Sequence, residues 1–174
     1  MEQLSFLSGA IKHDSGSSSV STVSFWKLFV DGAARNNPGP AGAGVFLLQD
    51  GKPVVKKGYY LGDKTNNQAE YIALLLGIYF FKKLSIGPNE PIAIYSDSQL
   101  LVSQLKGVYR VKNTALKKYY DIAKNGLGNY NHELHHVLRH KNTDADALAN
   151  LGLDEKTPVP QDFIAMMRLH EIEL

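Results

Sequence analysis

Phe25-Trp26-Lys27-Leu28-Phe29-Val30-Asp31-Gly32 decides how this chain is read. Six residues rich in β-formers run into Asp-Gly, the pattern of a strand that stops at a turn. Two more strand patterns follow, Ala43 to Leu48 and Val54 to Tyr60, with the hairpin signal Asp50-Gly51 between them. The folded part therefore opens with three strands, the last two antiparallel.

Outward from there the pattern changes to alternation of helix and strand. Ile72, Leu75, Leu76 and Tyr79 recur at helical spacing, Asn67 stands ready to cap that helix, and Gly87-Pro88 lies beyond its end. Pro91 to Tyr95 reads as a short buried strand. Helices are expected from Ser98 to Leu105 and from about Asn113 to Lys124, the second stopping at Gly126. His132 to Leu138 alternates as a strand, and Thr143 to Leu151 forms a helix closed by Gly152. The order β-β-β-α-β-α-α-β-α implies a mixed sheet with helices on its faces. Before Phe25, six serines and Gly16 between residues 13 and 24 read as a flexible linker within an N-terminal extension, 1–24. After 153, the tail 154–174 carries Phe163, Ile164, Met166, Met167 and Leu169. It either packs back as a short helix or offers a partner-binding segment.

Bulk properties narrow the class. The chain has 174 residues, 44% hydrophobic and 21% charged, which suits one ordinary globular domain. There is no cysteine, so disulfides, thiolate catalysis and Cys-ligated zinc are excluded. No apolar run is long enough for a membrane span, and no secretory or Arg-rich targeting pattern is visible, so a cytoplasmic protein is expected. A net charge of +2 is too small to name nucleic acid as a partner by itself.

Four acids stand out by position: Asp31, Glu70, Asp97 and Asp146. Each has a plain structural explanation. Asp31 precedes a glycine, as turn residues do. Glu70 lies three residues after Asn67, as in a capping box. Asp97 falls between strand and helix, an N-cap place. Asp146 lies in a first helical turn, where the dipole favours it. Jointly they mean more, because sites in open sheets collect beyond the carboxyl ends of strands. Carboxylates meeting there cannot all stay ionised without a cation. Hard divalent ions with oxygen ligands resolve this, Mg2+ by default. Two ions about 4 Å apart can clamp the attacking and leaving oxygens of a phosphodiester.

Four stretches carry a resemblance. They are Val30-Asp31-Gly32-Ala33-Ala34-Arg35-Asn36-Asn37-Pro38-Gly39-Pro40, Thr65-Asn66-Asn67-Gln68-Ala69-Glu70, Ile94-Tyr95-Ser96-Asp97-Ser98-Gln99 and Arg139-His140-Lys141-Asn142-Thr143-Asp144-Ala145-Asp146-Ala147-Leu148-Ala149. In this order, each with its acid, the segment 25–153 resembles a type 1 ribonuclease H domain. The resemblance implies a ribonuclease H-like three-layer α/β/α fold with a five-stranded mixed sheet, three strands in an antiparallel meander and two parallel. It implies an endonuclease that cuts the RNA strand of RNA–DNA hybrids, with two Mg2+ ions for which Mn2+ can substitute, leaving 5′-phosphate and 3′-hydroxyl ends. Asp31 would bridge both metals, Glu70 and Asp97 would bind one, and Asp146 would serve the other side of the pair. Asp144 competes for that fourth role. Asp146 is preferred because the family's acid lies four residues after the Asn, here Asn142, and two before Leu148-Ala149. Asn37, Asn67 and Gln68 match hybrid-contacting positions, and amides suit a 2′-hydroxyl that both donates and accepts. Ser98 resembles a residue near the RNA strand, and an N-cap role explains it equally. His140 stands roughly where the family has a mobile His linked to product release. A monomer is expected.

Lys106, Tyr109, Arg110, Lys112, Lys117 and Lys118 form the most basic stretch, either a hold on the DNA strand's phosphates or a solvated face. It is shorter than the basic, Trp-rich insertion of many bacterial members. His132-Glu133-Leu134-His135-His136 satisfies the H-E-x-x-H zinc pattern literally. As a strand, however, it sets His132 and His136 about 13 Å apart, too far for one zinc.

Overall fold

The computed structural model describes residues 23–174; the expected extension 1–24 lies almost wholly outside them. The elements are β1 (Trp26–Ala34), β2 (Gly39–Gln49), β3 (Lys52–Lys64), α1 (Asn66–Lys83), β4 (Ile92–Ser96), α2 (Gln99–Leu105), α3 (Thr114–Leu127), β5 (His132–His136), a 3-10 turn Arg139–Lys141, α4 (Thr143–Glu155) and α5 (Gln161–Arg168). They form one five-stranded sheet in the order β3-β2-β1-β4-β5. β1, β2 and β3 run antiparallel, and β4 and β5 are parallel to β1.

Local chemistry accounts for the meander. Asp50 and Gly51 both take positive φ, 49° and 80°, the twist that a two-residue hairpin turn requires. β1 does not stop at Asp31. It runs on to Ala34, with Asp31 paired opposite Gly44 inside the ladder.

One face of the sheet carries α1, backed by α3 and α5. α1 is buried nearly all round, from Tyr71 through Ile78 and at Phe81, because it has the sheet on one side and helices on the other. This differs from the single apolar stripe expected. Its cap is Thr65, not Asn67: the Thr65 hydroxyl accepts from the Gln68 amide at 3.2 Å, and Gln68 Oε1 accepts from the Thr65 amide at 2.9 Å. α5 returns the tail to this layer. Phe163 and Met167 are fully buried, and Phe163 meets Tyr79 edge-on at 5.6 Å.

The other face carries α4, seated over β1, β2 and β3. It rides unusually close, since a Cβ at Gly58 would lie 1.9 Å from the Leu148 carbonyl oxygen and one at Gly152 2.1 Å from the Tyr59 amide. Gly152 therefore does not end α4, which continues to Glu155 and turns at Lys156 with φ 51°. Gly126 likewise lies inside α3, where it admits Ile78 of α1. Beside α4, four rings stand in register across the sheet. Phe46, Phe29, Tyr95 and His135 are successive neighbours, with Phe29 and Tyr95 stacked at 4.6 Å and Tyr95 and His135 at 5.0 Å. No described helix is long and apolar enough to cross a membrane.

Candidate active site

β1 and β4 run parallel with Phe29 opposite Tyr95, so two residues further on Asp31 and Asp97 stand side by side on one face. α1 supplies the third acid. Gly32 makes this possible, because a Cβ there would sit 2.2 Å from the Glu70 amide nitrogen. The strand and the first turns of the helix touch, and the Gly32 amide donates to Glu70 Oε2 at 3.2 Å. Carboxylate oxygens of Asp31, Glu70 and Asp97 lie within 4.8 Å of one another.

Asp31 is 5% exposed. Burial, followed by the negative charge of Asp97, a hydrogen bond shared with Asp97 and the charge of Asp146, lifts its pKa from 3.8 to about 8, while Arg139 pulls it down. Burial and the charges of Asp31 and Asp97 also raise Glu70 well above the usual carboxylate range, against the pull of the Gly32 amide and Arg139. Three oxygen-donor acids that cannot ionise together fit a divalent cation better than they fit one another.

Asp146 stands at the rim, outside the trio. Its Oδ1 accepts from the Arg139 guanidinium at 2.8 Å, and its charge still reaches Asp31. Asp144 is exposed on the first turn of α4. Asp31, Glu70, Asp97 and Arg139 line a cleft of about 370 Å3 with Arg35, Asn66 and Asn150.

Asn37, Asn67 and Gln68 come together around a second cleft of about 230 Å3, with Asn113 at the start of α3. Part of their hydrogen-bonding capacity is already used: Asn37 Oδ1 accepts from the Asn66 amide at 3.1 Å, and Gln68 Oε1 closes the helix cap. Ser98 caps α2 through its hydroxyl, at 3.3 Å from the Leu101 amide. His140 is exposed in the 3-10 turn. In the basic stretch Lys117 pairs with Asp121, and Lys118 with Glu171 at 2.8 Å. Lys106, Arg110 and Lys112 are exposed, with no salt bridge among the described residues. The H-E-x-x-H segment is strand β5, as its lack of a helical stripe implies.

Sequence reasoning missed two residues. Asn142 served only as a spacing mark, yet it is 1% exposed and its amide donates to Asp97 Oδ1 at 3.1 Å. Arg139 is the cation nearest the acids in charge effect, and only its place beside the motif hinted at it.

The profile of a family described as reverse transcriptase-like matches residues 29–152. Ribonuclease HI of Halobacterium salinarum is 37% identical over 129 residues, 73% of this chain and 63% of that protein. A crystal structure of RNase H1 from that organism aligns with a TM-score of 0.70 at 36% identity, covering 75% of this chain and 98% of the other. The chain belongs to the type 1 ribonuclease H family. Membership agrees with the observed strand order. A bifunctional protein of Mycobacterium tuberculosis is 37% identical over 128 residues, 71% of this chain but 34% of its own length. The chain thus spans about two thirds or less of these curated ribonuclease H relatives. LC11-RNase H1, a type 1 ribonuclease H relative isolated from compost, has a crystal structure in complex with an RNA/DNA hybrid. It aligns with a TM-score of 0.70 at 32% identity over 75% of this chain and 97% of that one.

Proposed function

We propose that this chain is an endonuclease that hydrolyses the RNA strand of RNA–DNA hybrids, leaving 5′-phosphate and 3′-hydroxyl ends, with Asp31, Glu70, Asp97 and Asp146 as its catalytic and metal-holding residues. The observation that carries it is the convergence of Asp31, Glu70 and Asp97 within 4.8 Å. Two Mg2+ ions, or Mn2+ in their place, would supply Lewis acidity to the attacking and leaving oxygens of the phosphodiester.

The residues divide the remaining work. Asp31 lies in the middle of a ladder strand, so its backbone is held in place as charge around its carboxyl changes. Glu70 is oriented by the Gly32 amide. Asp146, at the rim, accepts from Arg139, so a cation there would compete with that guanidinium for its carboxylate. The amides of Asn37, Asn67 and Gln68 line the neighbouring cleft, suited to a 2′-hydroxyl in the shallow groove of the hybrid. Ser98 follows Asp97 directly, within reach of the same strand. His140 is exposed on its turn, and we read it as the residue that would meet the product as it leaves. The hybrid in the LC11 complex supports this substrate. We read the working form as a cytoplasmic monomer; a cysteine-free composition suits a reducing compartment.

The test is a cleavage panel of RNA–DNA hybrid, RNA duplex and DNA duplex, with Mg2+ and with Asp31→Asn as control. Only the hybrid's RNA strand is cut, and Asp31→Asn cuts nothing. An intact hybrid under these conditions removes the proposal.

A further inference from the structure

Asn142 stands at the N-cap of α4, where asparagine ordinarily turns its side chain onto the first free amides of the helix. Here the side chain makes no capping bond. It points inward instead, and the residue is 1% exposed. Its Nδ2 donates to the Val30 carbonyl at 2.9 Å and to Asp97 Oδ1 at 3.1 Å. Its main-chain carbonyl accepts from the Asp146 amide at 3.1 Å. Val30 immediately precedes Asp31. One residue therefore touches the middle of β1, the acid just past the end of β4 and the first turn of α4.

The amide can face only one way. Reversed, its oxygen would oppose two other oxygens. In the orientation it takes, Oδ1 is buried with no hydrogen-bond partner. An unpaired buried oxygen destabilises a fold, so helix capping does not account for the arrangement. Positioning does. Three of the four acids are set relative to one another through this side chain and its backbone.

We infer that Asn142 is a positioning residue of the catalytic site, holding Asp97 and the Asp31 strand at the separation that the metal pair requires. The inference rests on the active-site reading above and adds to it a part for a residue that bears no charge and touches neither substrate nor cation.

Asn142→Leu and Asn142→Ala test it. Leu keeps roughly the volume and loses the donor without adding charge, whereas Ala removes both. In both variants kcat on a hybrid falls about 10- to 100-fold, the usual effect of removing a group that orients a metal ligand, while KM for the hybrid holds. A second readout needs no turnover. The Mg2+ concentration that half-saturates the rise in Tm increases about tenfold or more in the variants. A purely architectural asparagine would lower Tm and leave the kcat-to-KM split and the Mg2+ midpoint where they were. Folded variants with wild-type kcat and Mg2+ midpoint overturn the inference. Should neither variant fold, the Asn142 side-chain NH2 resonances of the unmodified protein decide: they shift on Mg2+ titration, and resonances that stay fixed at saturation overturn it. If the unmodified protein itself neither cuts hybrid nor responds to Mg2+, the active-site reading fails and takes this inference with it.

Discussion

Gly32 and Glu70 touch backbone to backbone: a single carbon added at Gly32 would lie 2.2 Å from the Glu70 amide nitrogen. That contact is what brings a helix residue beside two strand residues. Gly32→Ala must push β1 and α1 apart, and both sides of the contact are main chain. Overpacking of this kind costs about 1–3 kcal/mol. The effect on chemistry is larger, because a displacement of roughly 1 Å at a reacting centre costs on the order of 100-fold. Gly32→Ala should therefore remain folded, melt several degrees lower and lose cleavage out of proportion to its stability. A variant with wild-type kcat would show that Glu70 does not need this proximity.

The trio should make the metal-free protein less stable as pH rises. Asp31 is lifted from 3.8 to about 8. Below 3.8 both folded and unfolded chains carry this proton. Between 3.8 and 8 only the folded chain keeps it, so the folded state binds more protons and stability falls with pH until the folded group ionises. Glu70, raised for related reasons, acts in the same direction. In EDTA, Asp31→Asn should melt higher than the unmodified protein at pH 8 and equally at pH 4, by about 2–4 °C for each kcal/mol recovered. Mg2+ should close the gap at pH 8 by displacing the remaining protons and binding the trio. Equal melting temperatures at pH 8 in EDTA would contradict the raised pKa.

The parts of the fold that local chemistry fixes were readable. Asp50-Gly51 needs two positive φ values, and both residues can adopt them. The four acids could be picked out because each lies at a fixed offset from a recognisable strand or helix end. Glycines were harder. Gly32, Gly126 and Gly152 looked like terminators, but each lies inside an element and is small to admit a neighbour. A sequence shows that a side chain is missing and does not show whether conformation or space requires it. Thr65 and Asn67 are both able to cap, and only the reach of Gln68 back to Thr65 separates them. Asn142 entered only as a mark four residues before Asp146, since the contacts of its side chain depend on segments more than 40 residues away in sequence.

The C-terminal helix should contribute to global stability. Phe163 is fully buried against Tyr79, and Met167 beside it is buried as well. Truncating a buried aromatic costs about 3–5 kcal/mol. Phe163→Ala should lower the urea midpoint accordingly with little change in slope. The acids lie on β1, α1 and α4 and just past the end of β4, so activity measured well below the midpoint should be retained. Loss of activity without loss of stability would give the tail a role in the reaction.

Arg139 occupies the acid that the trio lacks. It is an exposed residue, and its guanidinium donates to Asp146 Oδ1 at 2.8 Å. A cation arriving between Asp31 and Asp146 meets this contact first, so guanidinium and metal compete for one carboxylate. Exposed ion pairs are weak, and the competition should be modest. Arg139→Gln removes the competing charge and also the favourable field at Asp31 and Glu70. With the charge gone, the trio binds a cation more tightly at pH 9, above the value of about 8 near which Asp31 gives up its proton. Calorimetric titration with Mg2+ should therefore show tighter binding for Arg139→Gln at that pH. Weaker binding would assign Arg139 the opposite part, holding Asp146 where the metal needs it.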